Sequence, residues 1–152
     1  MVPTWHRLIA MMVYMLPWSD AIPLGGNLFL EYSFLKVLAI PTFPIFLIEN
    51  SIPFGNFFLF IILFLAVIRN PKISYFIRFN TMQSLLLNIA LLIIVYFLQI
   101  IINPLGNILL IQTMSNIIFI LSLAIIIFCI TKSIFGEEPE LPGISEAVRL
   151  QI

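Results

Sequence analysis

The sequence predicts an all-helical protein that crosses a membrane about four times, and three observations carry that prediction. Hydrophobic residues make up 62% of the chain and charged residues only 9%, against about 25% charged in soluble domains. The run Phe79 to Thr131 contains no charge at all. The 152 residues hold about four segments of the roughly 20 residues that a crossing needs, with no room left for a large catalytic head.

The first segment, residues 5–23, is free of charge only from Leu8 to Ser19 and contains Pro17 and Asp20. It spans only if Asp20 reaches an interface. Arg7 precedes the apolar stretch as in a secretory signal, but no small-residue cleavage site follows, so the segment is expected to be retained. Gly25-Gly26-Asn27 is expected to break the chain, and Leu28–Lys36 to lie on the surface.

The second segment, residues 35–49, is interrupted by Pro41 and Pro44, which suggests a kinked or re-entrant piece. One of 5–23 and 35–49 is expected to cross, with the first favoured because its prolines are less central. Glu49-Asn50-Ser51 is expected to form the following turn.

The strongest spans are residues 52–69, 80–102 and 107–133, with Asn103-Pro-Leu-Gly-Asn107 as the turn between the last two. Asn70-Pro71 has the form of a helix start, with Asn70 as the cap, and residues 72–78 would then lie at the interface with Tyr75, Phe76 and Phe79 toward lipid. Residues 134–152 form a polar tail in which Ser145 is placed to cap a short terminal helix. The whole is one integral-membrane domain.

Five of the seven basic residues lie in the turn Arg69–Arg78 and in the C-terminal region, and none lies in the turns at Glu49–Ser51 and Asn103–Asn107. The positive-inside rule puts the first two regions on the cytoplasmic or stromal face.

Chemistry at the level of side chains is sparse. One histidine, one cysteine and scattered carboxylates offer no metal-ligand spacing. The serines of the spans have no base within helical reach, and the best spans lack ionisable groups. No enzymatic activity, cofactor, metal or nucleic-acid partner is expected. What the spans do carry is uncharged polarity at helical spacing. Asn80, Gln83, Ser84, Asn88 and Gln99 share about half of one helix circumference, and Gln112, Ser115 and Asn116 cluster on the next. Two readings stay open: interhelical hydrogen bonds, or the wall of a wet pore or substrate groove. Arg69, Asn70, Lys72 and Arg78 are candidates for setting topology or for contacting anionic lipid or a partner subunit.

The order of residues in several separated stretches adds a family resemblance. Val67-Ile-Arg-Asn70, Phe76-Ile-Arg-Phe-Asn-Thr-Met-Gln83 and Leu85-Leu-Leu-Asn-Ile89 resemble the Tic-twenty family, the small channel-forming subunit of the translocon at the inner envelope membrane of chloroplasts. Trp5-His-Arg-Leu8, Tyr14–Asp20, Ile52-Pro-Phe54 and Pro142–Ala147 with Gln151 are similar to the family's other motifs. Asn88 departs from the pattern, which frequently has an acid there. The resemblance implies four spans with both termini on the stromal side, or in an alternative cyanobacterial membrane. It also implies a role as a protein-conducting subunit in preprotein import, with other translocon subunits, preproteins and lipids as partners. A non-conducting assembly subunit and a small cation or solute channel are the alternatives. The Ile-, Phe- and Asn-rich composition fits a gene in an AT-rich plastid genome.

Overall fold

The computed structural model describes residues 2–152, and every regular element among them is helical. The chain begins with α1 (Thr4–Met12) and α2 (Met15–Ala21), passes through a 3-10 turn (Ile22–Gly25) and ends its first run in α3 (Gly26–Glu31). The step between α1 and α2 has a local cause. Pro17 lacks the N–H that would bond to the carbonyl of Val13, and its ring crowds that carbonyl, so the helix opens at Val13–Tyr14.

Gly25 and Gly26 do not break the chain as the sequence suggests. The backbone there stays helical, with φ −82° at Gly25 and φ −51° at Gly26. Gly25 serves close packing instead: a Cβ on it would lie 2.9 Å from the Phe119 ring.

A 3-10 stretch (Ser33–Thr42) leads into α4 (Phe43–Ser51), and both are largely exposed on one flank. This 19-residue run is apolar and long enough to cross a membrane, as are 4–31, 75–105 and 108–135. Pro44 occupies the first turn of α4, where its missing N–H costs nothing. The expected turn at Glu49–Ser51 is instead the last turn of α4, and the helix breaks at Ile52-Pro53-Phe54. Ile52 is extended, as a residue before proline should be, and Phe54 sits in the left-handed region at φ 60°. Gly55 then starts α5 (Gly55–Leu63) against the Glu49 carbonyl, too close for any side chain.

A π turn (Phe64–Ile68) extends α5, giving a 14-residue helix where the sequence suggests the span 52–69. At 1.5 Å per residue that is about 21 Å, short of the roughly 30 Å hydrocarbon layer. The Ile52–Phe54 break places α4 and α5 one after the other along the bundle. Glu49 reaches Ser19, Asn56 reaches Asp20, and Ile68 ends beside Arg78.

The helix expected to start at Asn70-Pro71 starts at Ser74. Its hydroxyl accepts from the Ile77 N–H as the cap of α6 (Tyr75–Phe97), while Asn70 Oδ1 accepts from the Lys72 N–H in a turn of its own. Phe76 and Phe79, expected to face lipid, are buried, and Tyr75 is exposed. Continued by a π turn and a 3-10 turn, the α6 run reaches Leu105. Gly106, at φ 68°, reverses the chain, and Asn107 caps α7 (Ile108–Phe135) by accepting from the Leu110 N–H at 3.1 Å. The tail ends in α8 (Ile144–Gln151), capped at Gly143. Ser145 lies inside it and accepts from the Leu141 N–H at 2.7 Å.

Two apolar clusters hold the bundle. Tyr14, Trp18, Leu91, Phe119 and Ile126 join the start of α2 and α2 itself to α6 and α7, while Leu16, Ile68, Phe79, Leu85 and Val148 join α2, the end of α5, α6 and α8. Arg7 lies 3.4 Å from the Ile134 carbonyl, and Arg149 sits over the Phe79 ring. The beginning of the first run, the loop before α6, the end of α7 and α8 therefore share one end of the bundle.

Candidate functional site

The polar residues of α6 divide into a buried seam and an exposed groove, and their neighbours decide the difference. Asn80, Gln83, Ser84 and Asn88 recur on the inner face of α6 and are each at most 1% exposed. Every one of them is partnered across helices. Asn80 Oδ1 accepts from the Tyr14 hydroxyl at 2.9 Å and the Ser133 hydroxyl at 2.8 Å, and its Nδ2 donates to the Phe76 carbonyl. Gln83 Nε2 donates to the Pro139 carbonyl at 2.9 Å, and its Oε1 accepts from the Ser145 hydroxyl at 3.2 Å. Ser84 donates at 2.6 Å to the Val13 carbonyl, the group that Pro17 releases. Asn88 donates to Asp20 Oδ2.

Asp20 was legible only as a residue needing an interface, and it lies elsewhere. It is half-buried between α2, α5 and α6, where Asn56 Nδ2 also approaches both its oxygens at 3.3 Å. Asn88 is roughly 20 Å along α6 from Tyr75, near the middle of the helical run. Beside Asp20, Ser19 donates at 3.2 Å to Glu49 Oε2, while Glu49 Oε1 is buried with no partner.

Above this pair the helices part. A cavity of about 750 Å³ opens between the α2–α3 region, the second half of α6 and the first half of α7. Asp20 is at its lining, together with Asn27, Gln99, Asn103 and Ser115, among apolar walls such as Leu91 and Val95. Two of the sequence candidates, Gln99 and Ser115, thus come together here. Gln112 is exposed nearby on α7, outside the lining, and Asn116 keeps a buried Oδ1 without a partner.

The basic turn also splits. Arg78 Nε donates at 2.8 Å to the Ile68 carbonyl and closes the end of the α5 run. Arg69 is exposed and stacks over the Phe64 ring at 5.2 Å, and Lys72 is exposed. Asn70 is taken up by its own turn. Tyr14, Asp20, Asn56, Ser133 and Ser145 were not among the sequence candidates. Asp20 had a signal, since an acid within an apolar run needs a partner; the others had none, because single hydroxyls and a lone amide in such runs are common.

Comparison with known proteins identifies the relationship. The family model described as "Chloroplast import apparatus Tic20-like" matches residues 2–148. The chain is 36% identical over 147 residues to a "Tic20 family protein" of Synechocystis sp., covering 96% of this chain and 92% of that one. It is 33% identical over 148 residues to "Protein TIC 20-v, chloroplastic" of Arabidopsis thaliana, covering 96% of this chain and 70% of that one. It is also 35% identical over 99 residues to "Protein TIC 20-II, chloroplastic" of the same plant, covering 65% of this chain and 48% of that one. The chain belongs to the Tic20 family.

Proposed function

We propose that this protein is a membrane-embedded component of a plastid protein-import apparatus, in the inner envelope membrane with both termini on the stromal side. The observation that carries the reading is the match to the chloroplast import family along nearly the whole chain. The partners on this reading are other translocon subunits, preproteins in transit and membrane lipids. The path for protein is the open groove lined by Gln99, Ser115, Asn27 and Asn103, because polar groups there face free volume rather than one another. Arg69 and Lys72, exposed at the basic end, hold anionic lipid headgroups or a neighbouring subunit.

A second reading draws on the buried seam. Asn80, Gln83, Ser84 and Asn88 are fully engaged within the fold. That supports a scaffold role for this half of the bundle, with these side chains as fasteners and no wet surface of their own.

Conditional depletion in the organism that makes the protein, followed by import of a radiolabelled precursor, tests the proposal. Loss of import before loss of other membrane functions is expected. Undiminished import after complete depletion contradicts it.

A further inference from the structure

The groove has a chemically distinct floor. Among the described residues, Asp20 is its single charged lining residue, and the donors on its carboxylate are the neutral amides of Asn56 and Asn88. Both carboxylate oxygens accept from these amides, a donor set suited to an ionised, acceptor-only carboxylate. The ion pairs among the described residues all involve the tail: Lys132–Glu137, Arg149–Glu138 and Arg149–Glu140. A second carboxylate, Glu49, is held beside the first by Ser19 and leaves its Oε1 buried and without a donor. Two acids lie near the middle of the bundle, then, with no cation among the described residues paired to either. A charge at this depth is costly unless it is paired, and in membrane helices such a group faces a partner or a pathway.

We propose that Asp20 forms a subsite for cationic side chains, the ammonium of lysine or the guanidinium of arginine, carried by an extended polypeptide in the groove. The proposal rests on the groove being the path for protein. Charge complementarity selects the occupant: the lining offers one carboxylate, side-chain amides and a hydroxyl, and no basic residue that would repel a cation. Gln99, Asn27 and Asn103 supply hydrogen-bonding groups for an extended backbone, and the apolar walls accept the aliphatic stems of lysine and arginine. Asn56 and Asn88 are positioning residues that hold the carboxylate in place.

The test uses the full chain in lipid nanodiscs with a photo-crosslinking side chain in place of Gln99. It is offered an extended lysine-containing peptide or the same peptide with glutamine at each lysine. The lysine peptide is expected to crosslink about tenfold more strongly, the difference a charge-assisted hydrogen bond supports. Asp20→Asn should lower its yield to that of the glutamine peptide, and Asp20→Glu, which keeps the charge and guards against a folding defect, should retain the preference. Equal crosslinking of the two peptides to the protein with Asp20 intact overturns the cation subsite and leaves the groove as a path. Absence of crosslinks to either peptide overturns both.

Discussion

The side-chain amide of Gln83 donates to the backbone carbonyl of Pro139 at 2.9 Å, in a fully buried position that ties the middle of α6 to the C-terminal tail. The bond answers two needs at once. A glutamine inside an apolar bundle must find partners, and a tail rich in Glu and Pro has little apolar surface of its own to anchor it. Ser145 completes the arrangement by donating to Gln83 Oε1.

Gln83→Leu should therefore loosen the tail while leaving the helices in place. It removes the amide that joins α6 to the Pro139 carbonyl and the Ser145 hydroxyl, leaving the hydroxyl to donate to that carbonyl at 3.2 Å, at a cost of about 1 kcal/mol. Limited proteolysis within residues 137–143 should accelerate by about fivefold. The exposed ionic contacts matter less: Arg149→Gln should change the cleavage rate by less than about twofold. Glu140, then Glu138, hold the Arg149 guanidinium above its ordinary pKa, so it keeps its charge through neutral and mildly alkaline pH. The arginine's contribution is present below its unfolded pKa and is lost only as pH rises past the raised value. The tail's protection from protease should accordingly be flat between about pH 7 and pH 9.

The contact between Gly25 and Phe119 predicts an asymmetry between adjacent glycines. Gly25→Ala places a methyl 2.9 Å from the Phe119 and Phe29 rings and should destabilise by about 1–3 kcal/mol. Gly26→Ala meets nothing within 4 Å and should be neutral or slightly stabilising. Thermal unfolding in detergent followed by circular dichroism measures both.

Pro17 and Ser84 should be energetically coupled. Ser84→Ala leaves the Val13 carbonyl only the Leu16 N–H at 3.3 Å and is expected to cost about 0.6 kcal/mol. In a Pro17→Ala background residue 17 regains an N–H that can bond that carbonyl, so the same Ser84→Ala change should cost less. An additive double-mutant cycle would show that Ser84 answers some other need.

Asn80 accepts two hydroxyls, so Asn80→Ala should cost more than either partner change. About 2–4 kcal/mol is expected for Asn80→Ala, against about 1 kcal/mol for Tyr14→Phe or Ser133→Ala. Denaturant titration of the three variants ranks them.

The fold was largely legible in the sequence because its main signals are compositional and local. The uncharged run Phe79–Thr131 marks two long helices, and the Asn-Pro-Leu-Gly-Asn turn divides them. Less was legible where tertiary contact overrides a local signal. Asn70-Pro71 has the residues of a helix start, yet Ser74 caps α6 while Asn70 closes its own turn. Gly25-Gly26 has the residues of a break, yet Gly25 answers the Phe119 ring. Phe76 and Phe79 fit lipid or core equally well by chemistry; both are buried, Phe79 in the cluster that joins α6 to α8 and the end of α5. In the candidate site, periodicity found the face of α6 but not the division between Asn80–Asn88 and Gln99. That division depends on which helices cover which part of the face, and helical spacing carries no such information.

The most direct measurement places a photo-crosslinking residue at Gln99 or Ser115 in the groove, and at Ile93 or Tyr96 on the exposed outer face of α6, within the native membrane complex. A preprotein arrested in transit should crosslink from Gln99 and Ser115 and not from Ile93 or Tyr96. Crosslinks from the groove only to stable membrane subunits, under conditions that demonstrably arrest the preprotein, would contradict the assignment of this groove as the path for protein.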